Sequence, residues 1–428
     1  MIEIKKEMEP DRRALLVGVE SPRSDRWDIQ DMLAELSQLA ETAGLKIIGE
    51  DVSRRTRPHP ATYVGPGKAK EIAGRCRQES IAVLVFNGDL SPVQLKNLQD
   101  LTGVKVNDRT ELILNIFARR ARTREARLQI ELAQLRYALP RLAGAWTHLS
   151  RQKGGMMGTR DAGEKQVEVD RRMARTRIHR LEKEIEKVRL HRDAQRKHRT
   201  QTGVPVISII GYTNSGKSTL LNALTEASVL AEDKLFATLD PITRKEVLPS
   251  GRPVLFSDTV GFIRSLPRDL FDSFRATIEE VREADLLLEV LDISHRLVWE
   301  RKKAVEAVLR EMEAEGKPMI VALNKTDLVS DPFLISEARA RLEGGVPISA
   351  LRKTGLAELL TAIDEQLDLA TLRRHHRLLI PQRRPDLISR LYRDGKVVKI
   401  DYHQKDVYVE VLIEDRALGD FRSFLIEG

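Results

Sequence analysis

A glycine-rich stretch in the middle of the chain has the residue types and spacing of a phosphate-binding loop. An apolar run, 206–210, is followed by the pattern GxxxxGKS and then by the start of a helical pattern. Strand, loop and helix in this order aim backbone N–H groups at one place, where they can bind a polyphosphate. Lys217 would reach the β- and γ-phosphates, and the Ser218 hydroxyl would ligate Mg²⁺. The predicted contacts are Gly211, Tyr212, Thr213, Asn214, Ser215, Gly216, Lys217 and Ser218.

Two stretches downstream have the chemistry of a γ-phosphate sensor. In DTVG, Asp258 can hold a water on Mg²⁺, and the Gly261 amide can approach the γ-phosphate. In FATLD, the Thr238 hydroxyl can ligate Mg²⁺ while the γ-phosphate is present. Ser218, Thr238 and Asp258 (through water) are therefore the predicted metal site, and Lys217, Thr238 and Gly261 the predicted catalytic group. The contacts predicted in these stretches are Phe236, Ala237, Thr238, Leu239, Asp240, Asp258, Thr259, Val260 and Gly261.

A third stretch, NKTD, follows an apolar strand and can select the base. The Asp327 carboxylate can accept from N1–H and the exocyclic amine of guanine, a donor pair that adenine does not present at that edge. This favours GTP over ATP. A backbone amide after the next strand can read the guanine oxygen. The predicted base contacts are Asn324, Lys325, Thr326, Asp327, Ser349, Ala350 and Leu351.

The residue after DTVG is Phe262, where many small GTPases carry a glutamine that orients the attacking water. A phenyl ring cannot orient or deprotonate water. Our hypothesis is that the chain alone hydrolyses GTP slowly, and that contact with a partner orients the attacking water. The alternative is that Phe262 only packs and another side chain positions the water.

Alternating apolar runs and helical patterns predict a parallel α/β domain before this site. The predicted strands are 14–19, 45–48, 82–86 and 104–106, and the predicted helices are 29–43, 67–79 and 92–101. The loop HPATYVGPGK (59–68) lacks the spacing of a dinucleotide fingerprint, and we interpret it as a turn and a helix start.

A basic helical hairpin is predicted next. Its first apolar stripe comprises Leu128, Leu132, Leu135, Leu139, Leu142, Trp146 and Leu149, and its second comprises Ala174, Ile178, Leu181, Ile185 and Val188. Pro140 should kink or break the first helix near its end. Residues 119–199 hold 23 Lys and Arg against 10 Asp and Glu, a local net charge of +13, so the rest of the +8 chain sums to −5. A solvated helical face is the simpler reading, but the glycine-rich tip with Arg151, Lys153 and Arg160 favours structured RNA as a partner.

The complete fold prediction is α/β with four domains. They are an N-terminal parallel α/β domain (1–109), an antiparallel helical hairpin (110–202), a P-loop GTPase domain with a mostly parallel sheet (203–370) and a small C-terminal α+β domain (371–428). In the last, residues 385–393 are a predicted helix, and 396–402 with 407–413 a predicted hairpin.

The composition of the 428-residue chain indicates the cellular compartment in which it folds. Its one cysteine, Cys76, excludes an internal disulfide framework and a Cys-based zinc cluster, and it fits a reducing compartment. The sequence contains neither a signal-peptide pattern nor an apolar run long enough to span a membrane. We therefore expect a cytoplasmic protein, and a monomer.

The phosphate loop, FATLDP, DTVGFI, NKTD and SAL, together with HPATYVGPGK and RQKGGMMGTRDAGE, resemble the HflX family of translational GTPases. The resemblance covers nearly the whole chain and is least distinct in the last sixty or so residues. It implies Mg²⁺ and GTP or GDP at the site, and a large ribosomal subunit as partner. It also implies GTP hydrolysis on that subunit, the basic hairpin near the peptidyl-transferase region, and separation or rescue of stalled ribosomes under stress such as heat.

Two alternatives remain open at this point. One is a signalling GTPase that binds protein effectors through a coiled-coil hairpin. The other is an independent enzyme in the N-terminal domain, where we find no paired carboxylates, Ser/His arrangement or metal-ligand spacing. His59 lies beside the GPGK loop, but a lone loop histidine is more simply a solvated side chain.

Overall fold

The computed structural model describes residues 12–20, 29–141, 159–201, 204–225, 235–236, 242–264, 275–342, 344–370, 373–403, 405–414 and 417–426. Of the predicted site residues, Ala237, Thr238, Leu239, Asp240, Arg151 and Lys153 lie outside these ranges. Arg160 lies within a described helix, but its side chain is outside the description.

The first sheet has four parallel strands in the order β2-β1-β3-β4. The strands are β1 (Arg13–Glu20), β2 (Lys46–Arg54), β3 (Val83–Phe86) and β4 (Lys105–Asn107). The helices are α1 (Ile29–Thr42), α2 (Pro66–Gln78), α3 (Pro92–Thr102) and α4 (Arg109–Arg120). Because side chains alternate along β1, Leu16 packs in one core with α1 and α4, and Leu15 packs in another with α2 and α3. The four predicted strands and three predicted helices are confirmed.

The HPATYVGPGK loop forms a turn and a helix start, as predicted. His59 and Tyr63 exchange two backbone hydrogen bonds of 2.7 and 2.9 Å, and Pro66 is the first residue of α2. Lys68, the cation of the loop, pairs with Asp51 at 2.5 Å. Its charge is therefore satisfied within the domain.

Two helices, α5 (Arg124–Ala138) and α6 (Thr159–Gln201), form the predicted hairpin. Ion pairs join Arg124 to Glu184 at 3.8 Å and Arg177 to Glu131 at 2.7 Å, so the helices run antiparallel. Helix α5 ends two residues before Pro140, as the proline predicts. The apolar seam contains Leu128, Leu132, Leu135, Ile178, Leu181, Ile185 and Val188. The predicted seam residues Leu142, Trp146 and Leu149 lie outside the described residues.

The second sheet has six strands in the order β10-β9-β8-β5-β7-β6 and carries the phosphate loop. The strands are β5 (Val206–Ile210), β6 (Ile242–Val247), β7 (Pro253–Asp258), β8 (Leu286–Asp292), β9 (Met319–Asn324) and β10 (Val346–Pro347). The helices are α7 (Lys217–Thr225), α8 (Arg275–Glu283), α9 (Val298–Glu311), α10 (Pro332–Arg341) and α11 (Leu356–Ala370). Strand β6 runs antiparallel to β7, and the other pairs are parallel. The carboxyl ends of β5, β7, β8 and β9 therefore meet at one edge.

The C-terminal sheet is antiparallel, in the order β11-β13-β12. It comprises β11 (Arg373–Pro381), β12 (Lys396–Tyr402) and β13 (Asp406–Glu414), with helix α12 (Pro385–Asp394) between β11 and β12. The helix and the β12–β13 hairpin were predicted. Strand β11 was missed because it begins RRHHR, so its apolar alternation starts only at Leu378 and Ile380. Among the described residues, no helix is both long and apolar enough to cross a membrane.

The N-terminal domain packs directly on loops of the second sheet. One apolar cluster contains residues of α1, α4 and α5 together with Tyr212, Phe236, Val260 and Phe262. The rings of Phe117 in α4 and Phe236 meet edge to face, with centroids 4.6 Å apart. Phe236 of FATLD and Val260 of DTVG, two residues of the predicted γ-phosphate-sensing stretches, therefore pack against another domain.

The hairpin seam should tolerate little loss of volume. Leu181 is fully buried between α5 and α6, so Leu181→Ala should remove about 2 to 4 kcal/mol from the stability of this packing. We expect faster trypsin cleavage within 159–201. Met173→Ala is the control, because Met173 lies on the same helix and is 55% exposed. Equal cleavage rates in the two variants would contradict this account of the seam.

Candidate nucleotide-binding site

The phosphate loop joins a buried strand to a helix, as the sequence predicts. Strand β5 is buried from Ile207 to Ile210, and α7 starts at Lys217. Gly216 adopts φ +99, and a Cβ there would lie 2.2 Å from Asn324 Nδ2. The loop therefore needs glycine at this position both for its backbone conformation and for its contact with the NKTD stretch.

Lys217 is the buried cation of the loop. Its Nζ donates to the carbonyl oxygens of Tyr212 at 2.8 Å and Gly211 at 3.2 Å. Burial lowers its pKa to about 8, which the nearby Asp258 carboxylate partly opposes and Lys325 reinforces. An anionic phosphate would restore the stabilisation of the ammonium group that burial removes.

Two hydroxyl groups of the loop are buried without a hydrogen-bond partner among the described residues. They are Thr213 Oγ1 and Ser215 Oγ, on side chains that are each 1% exposed. A buried donor without a partner is costly, so these hydroxyls fit a loop built to receive an acceptor-rich ligand such as a phosphate.

Ser218 and Asp258 meet as a metal pair requires. Ser218 Oγ donates to Asp258 Oδ2 at 2.7 Å, and Asp258 is fully buried at the end of β7. A hydroxyl and a carboxylate are oxygen ligands, the kind that Mg²⁺ prefers, and such sites are completed by water and substrate phosphates. The residues present therefore fit Mg²⁺. The third predicted ligand, Thr238, lies outside the described residues.

The segment after Asp258 folds back on the phosphate loop. The Phe262 N–H donates to the Gly211 carbonyl at 3.0 Å, and the Thr213 N–H donates to the Phe262 carbonyl at 2.7 Å. A Cβ on Gly261 would lie 2.9 Å from both Lys217 Nζ and the backbone Cα of Thr213, and because the Thr213 backbone cannot move aside, only glycine allows this approach. Thr259 is fixed by its hydroxyl, which donates to the Ile209 carbonyl at 2.7 Å, and Val260 is buried.

Asn324 connects the NKTD stretch and the loop after β10, the two predicted base contacts, to the phosphate loop. Its Nδ2 donates to the Ser215 carbonyl at 2.8 Å, and its Oδ1 accepts from the Ala350 N–H at 3.0 Å. Asp327 Oδ1 accepts from Ser349 Oγ at 2.5 Å. The structure thus brings together Ser215, Asn324, Asp327, Ser349 and Ala350. The Thr326 hydroxyl donates to the Ile348 carbonyl at 3.0 Å. The side chain of Leu351, another predicted base contact, is 73% exposed.

Sequence analysis missed one residue of this network, Asp292. It ends strand β8, is 6% exposed, and pairs with Lys325 Nζ at 2.7 Å. Lys325 itself has a left-handed backbone, φ 66. An acid directly after an apolar strand is the signal that identified Asp258, and the same rule applied to β8 would have found Asp292.

Three family models match the chain. Residues 30–118 match one described as GTP-binding GTPase N-terminal, 120–199 one described as GTP-binding GTPase Middle Region, and 206–325 one described as 50S ribosome-binding GTPase.

Individual proteins match over nearly the same length. The GTPase HflX of Caldanaerobacter subterraneus subsp. tengcongensis is 44% identical over 97% of this chain and 94% of its own. The GTPase HflX of Escherichia coli K12 is 44% identical over 85% of each chain. A solved structure titled "crystal structure of SsGBP and GDP complex" covers 84% of this chain and 98% of its own, at 28% identity and a TM-score of 0.49.

Asp327→Asn should change the base preference of the site. The amide would present a donor to the exocyclic amine of guanine, so we expect GDP affinity to fall by tenfold or more, about the value of a hydrogen bond to a charged group. Xanthine carries an oxygen at that position, so XDP affinity should rise. Calorimetric titration with both nucleotides measures the ratio.

Asp331→Asn is the matched control for that titration. Asp331 is exposed, lies four residues further on and caps α10, a role that asparagine also fills. An unchanged ratio of GDP to XDP affinity in Asp327→Asn would show that Asp327 does not read the base.

Nucleotide binding should take up a proton near pH 8. The free site holds the Lys217 pKa at about 8, and the phosphates should raise this pKa towards its usual value near 10.5. Below a pH of about 7 both states are protonated and affinity is independent of this group. As pH rises from about 7 to about 8.5, affinity should fall and proton uptake should grow.

Calorimetry in buffers of different ionisation enthalpy measures this uptake. Lys317→Gln is the control, because burial also lowers the pKa of Lys317, but its Nζ donates to the Ala284 carbonyl, away from the loop. Uptake should persist in this variant. Binding without proton uptake at pH about 8 would contradict the assignment of Lys217 as the phosphate-contacting cation.

Proposed function

The chain belongs to the HflX family of GTPases and hydrolyses GTP, and on this premise we propose that it acts on the large ribosomal subunit. It binds that subunit through ribosomal RNA, hydrolyses GTP faster there than in solution, and separates or rescues stalled ribosomes under stress such as heat. The signalling GTPase with a coiled-coil effector hairpin is not favoured, because the family match extends along the chain rather than over the phosphate loop alone.

The observation that carries this proposal is the position of the basic hairpin. The local net charge of +13 falls on α5, α6 and their flanks, and α6 ends five residues before β5, the strand that presents the phosphate loop. Within the described part of α6, cations such as Arg172 and Arg175 are exposed. Phosphate contacts of this kind need no base sequence and suit structured RNA.

The same hairpin contacts the helix that follows the γ-phosphate-sensing segment. Arg189 in α6 lies 3.4 Å from Glu279 in α8. The next residue, Glu280, accepts a 2.7 Å hydrogen bond from Ser257 of β7, the neighbour of Asp258. In our proposal this is the route by which RNA bound at the hairpin affects the site.

Catalysis consists of positioning and charge neutralisation. The loop amides and Lys217 hold the β- and γ-phosphates, and Ser218, Asp258 and Thr238 would hold Mg²⁺, which neutralises charge on the phosphate oxygens when bound. The Gly261 amide meets the γ-phosphate. Asp327 selects guanine, with its carboxylate oriented by Ser349.

Phe262 leaves the attacking water without its usual orienting group. Its side chain is 5% exposed within the apolar cluster shared by the two domains, and its backbone is hydrogen-bonded to the phosphate loop. We propose that ribosomal contact orders the water, the alternative being a different side chain of this protein. We further propose a cytoplasmic monomer, in which the buried Cys76 stays a free thiol.

Turnover with and without large subunits tests this proposal. We expect large subunits to raise kcat by at least about tenfold, and small subunits to leave it unchanged. Lys217→Ala should lack nucleotide binding or hydrolysis, and it corrects for GTPases carried over with the ribosomes. Fast hydrolysis that is independent of subunits would overturn the proposal.

The RNA contact is tested in the same assay with Arg151, Lys153 and Arg160 all replaced by Gln. Binding to large subunits should weaken, and the slope of log affinity against log salt should fall by about 2 to 3. Turnover without subunits should stay as in the parent protein. Unaltered co-sedimentation would show that the tip is not an RNA contact.

A further inference from the structure

Four residues from different parts of the chain form a buried polar cluster where the N-terminal domain meets the phosphate loop. The cluster, named here the Glu35 cluster, comprises Glu35 of α1, Arg109 of α4, Tyr212 of the phosphate loop and Arg264. Glu35, Arg109 and Tyr212 are each less than a tenth exposed. Polar groups this deeply buried are expensive unless each has a partner, so their contacts define a specific arrangement.

Four hydrogen bonds join the members of this cluster. The Tyr212 hydroxyl donates to Glu35 Oε2 and accepts from the Arg264 N–H at 3.1 Å. Arg109 Nη2 donates to Glu35 Oε1 and, at 3.1 Å, to the Arg264 carbonyl. Both backbone polar groups of Arg264 are therefore held, one by the phosphate loop and the other by α4. The cluster therefore fixes the backbone of Arg264 through its N–H and carbonyl groups.

Arg264 lies three residues after Gly261, the glycine in close approach to Lys217. Phe262, between them, is bonded through its own N–H and carbonyl to Gly211 and Thr213. The segment 261–264 is thus fixed at Phe262 by the phosphate loop and at Arg264 by the Glu35 cluster. Groups fixed before the ligand arrives do not have to be ordered by it, which increases affinity and rate.

The protonation of the cluster fits this role. Burial and the neighbouring Glu35 carboxylate raise the pKa of Tyr212, so the phenol stays protonated and can donate a hydrogen bond to Glu35. The adjacent turn of α1 adds a second link, because Asp31 pairs with Arg296 of the other domain. Helix α1 therefore contacts the GTPase domain through two carboxylates one turn apart.

We propose that Tyr212, together with Glu35 and Arg109, is a positioning residue for the γ-phosphate: it holds segment 261–264 so that the Gly261 amide faces the phosphate, without itself reaching the nucleotide. The inference rests on the proposed nucleotide site and not on ribosome binding. It makes the N-terminal domain part of what distinguishes GTP from GDP, since GDP has no γ-phosphate for Gly261 to meet.

Tyr212→Phe tests this inference, because it keeps the ring and removes the hydroxyl with its two hydrogen bonds. We expect affinity for a non-hydrolysable GTP analogue, and kcat without ribosomes, each to fall about tenfold. GDP affinity should stay within about twofold of the parent, since the phosphate loop is intact. Both affinities are measured by calorimetry on the full-length chain.

Tyr137→Phe is the matched control. Tyr137 is also buried and donates to a buried carboxylate, Asp108 Oδ1, at 2.7 Å, but it lies at the base of the hairpin. It should leave both affinities and kcat unchanged. A loss in this variant that equals the loss in Tyr212→Phe would mean that any buried tyrosine matters equally, and the inference would fail.

Arg109→Lys is the second variant. A lysine keeps the charge beside Glu35 but lacks the guanidinium fork that reaches Glu35 and the Arg264 carbonyl at once. A selective loss of GTP-analogue affinity supports the inference in this variant too. Equal losses for GDP and the GTP analogue, no loss for either, or a rise in kcat would overturn it. If the parent protein did not bind GDP, the assignment of the nucleotide site itself would be wrong, independently of the role of Tyr212.

Discussion

The buried ammonium group of Lys217 is the charge on which the rest of the site depends. Two loop carbonyls hold it, yet burial still lowers its pKa to about 8, so these dipoles do not replace the lost water completely. A polyphosphate supplies the missing negative charge. The loop geometry, the Ser218–Asp258 pair and the close approach of Gly261 all surround this cation, where the proposed phosphates would bind.

The loop that carries Lys217 is held from both sides. Asn324 joins it to the NKTD stretch and to the loop after β10 through Ser215 and Ala350, so the proposed base and phosphate sites share one amide side chain. On the other side, Phe262 and Tyr212 join it to the segment after DTVG and to the N-terminal domain. A ligand that moves Tyr212 or the segment after DTVG would also change the packing between the two domains, which is a physical basis for coupling a nucleotide to a distant surface.

The stability of the hairpin depends on its apolar seam more than on its many charges. Its seam is a narrow stripe of leucine, isoleucine and valine flanked by ion pairs such as Arg177 to Glu131. Most of the cations of α5 and α6 whose side chains the structure describes are exposed. Few of those cations contribute to stability, because exposed pairs are worth little. Their concentration on one element is therefore better explained by a polyanionic partner than by folding.

The sequence by itself determined the elements and the contiguous parts of the site. These features depend on local backbone preferences and on neighbouring residues, so they can be recognised in the sequence. They include strands with unbroken apolar runs, helices with a 3.6-residue period, and short stretches such as DTVG and NKTD. Strand β11 was missed because its polar start hides the alternation. Tertiary structure alone decided which polar side chains meet: Tyr212 occupies a variable position of the loop pattern, and its partner Glu35 lies 177 residues away. Helix α1 buries Asp31 and Glu35 beside its apolar residues, and this burial follows only from the packing of the two domains. No local rule pairs such groups, because the cost of burying them is offset only after two domains have packed together.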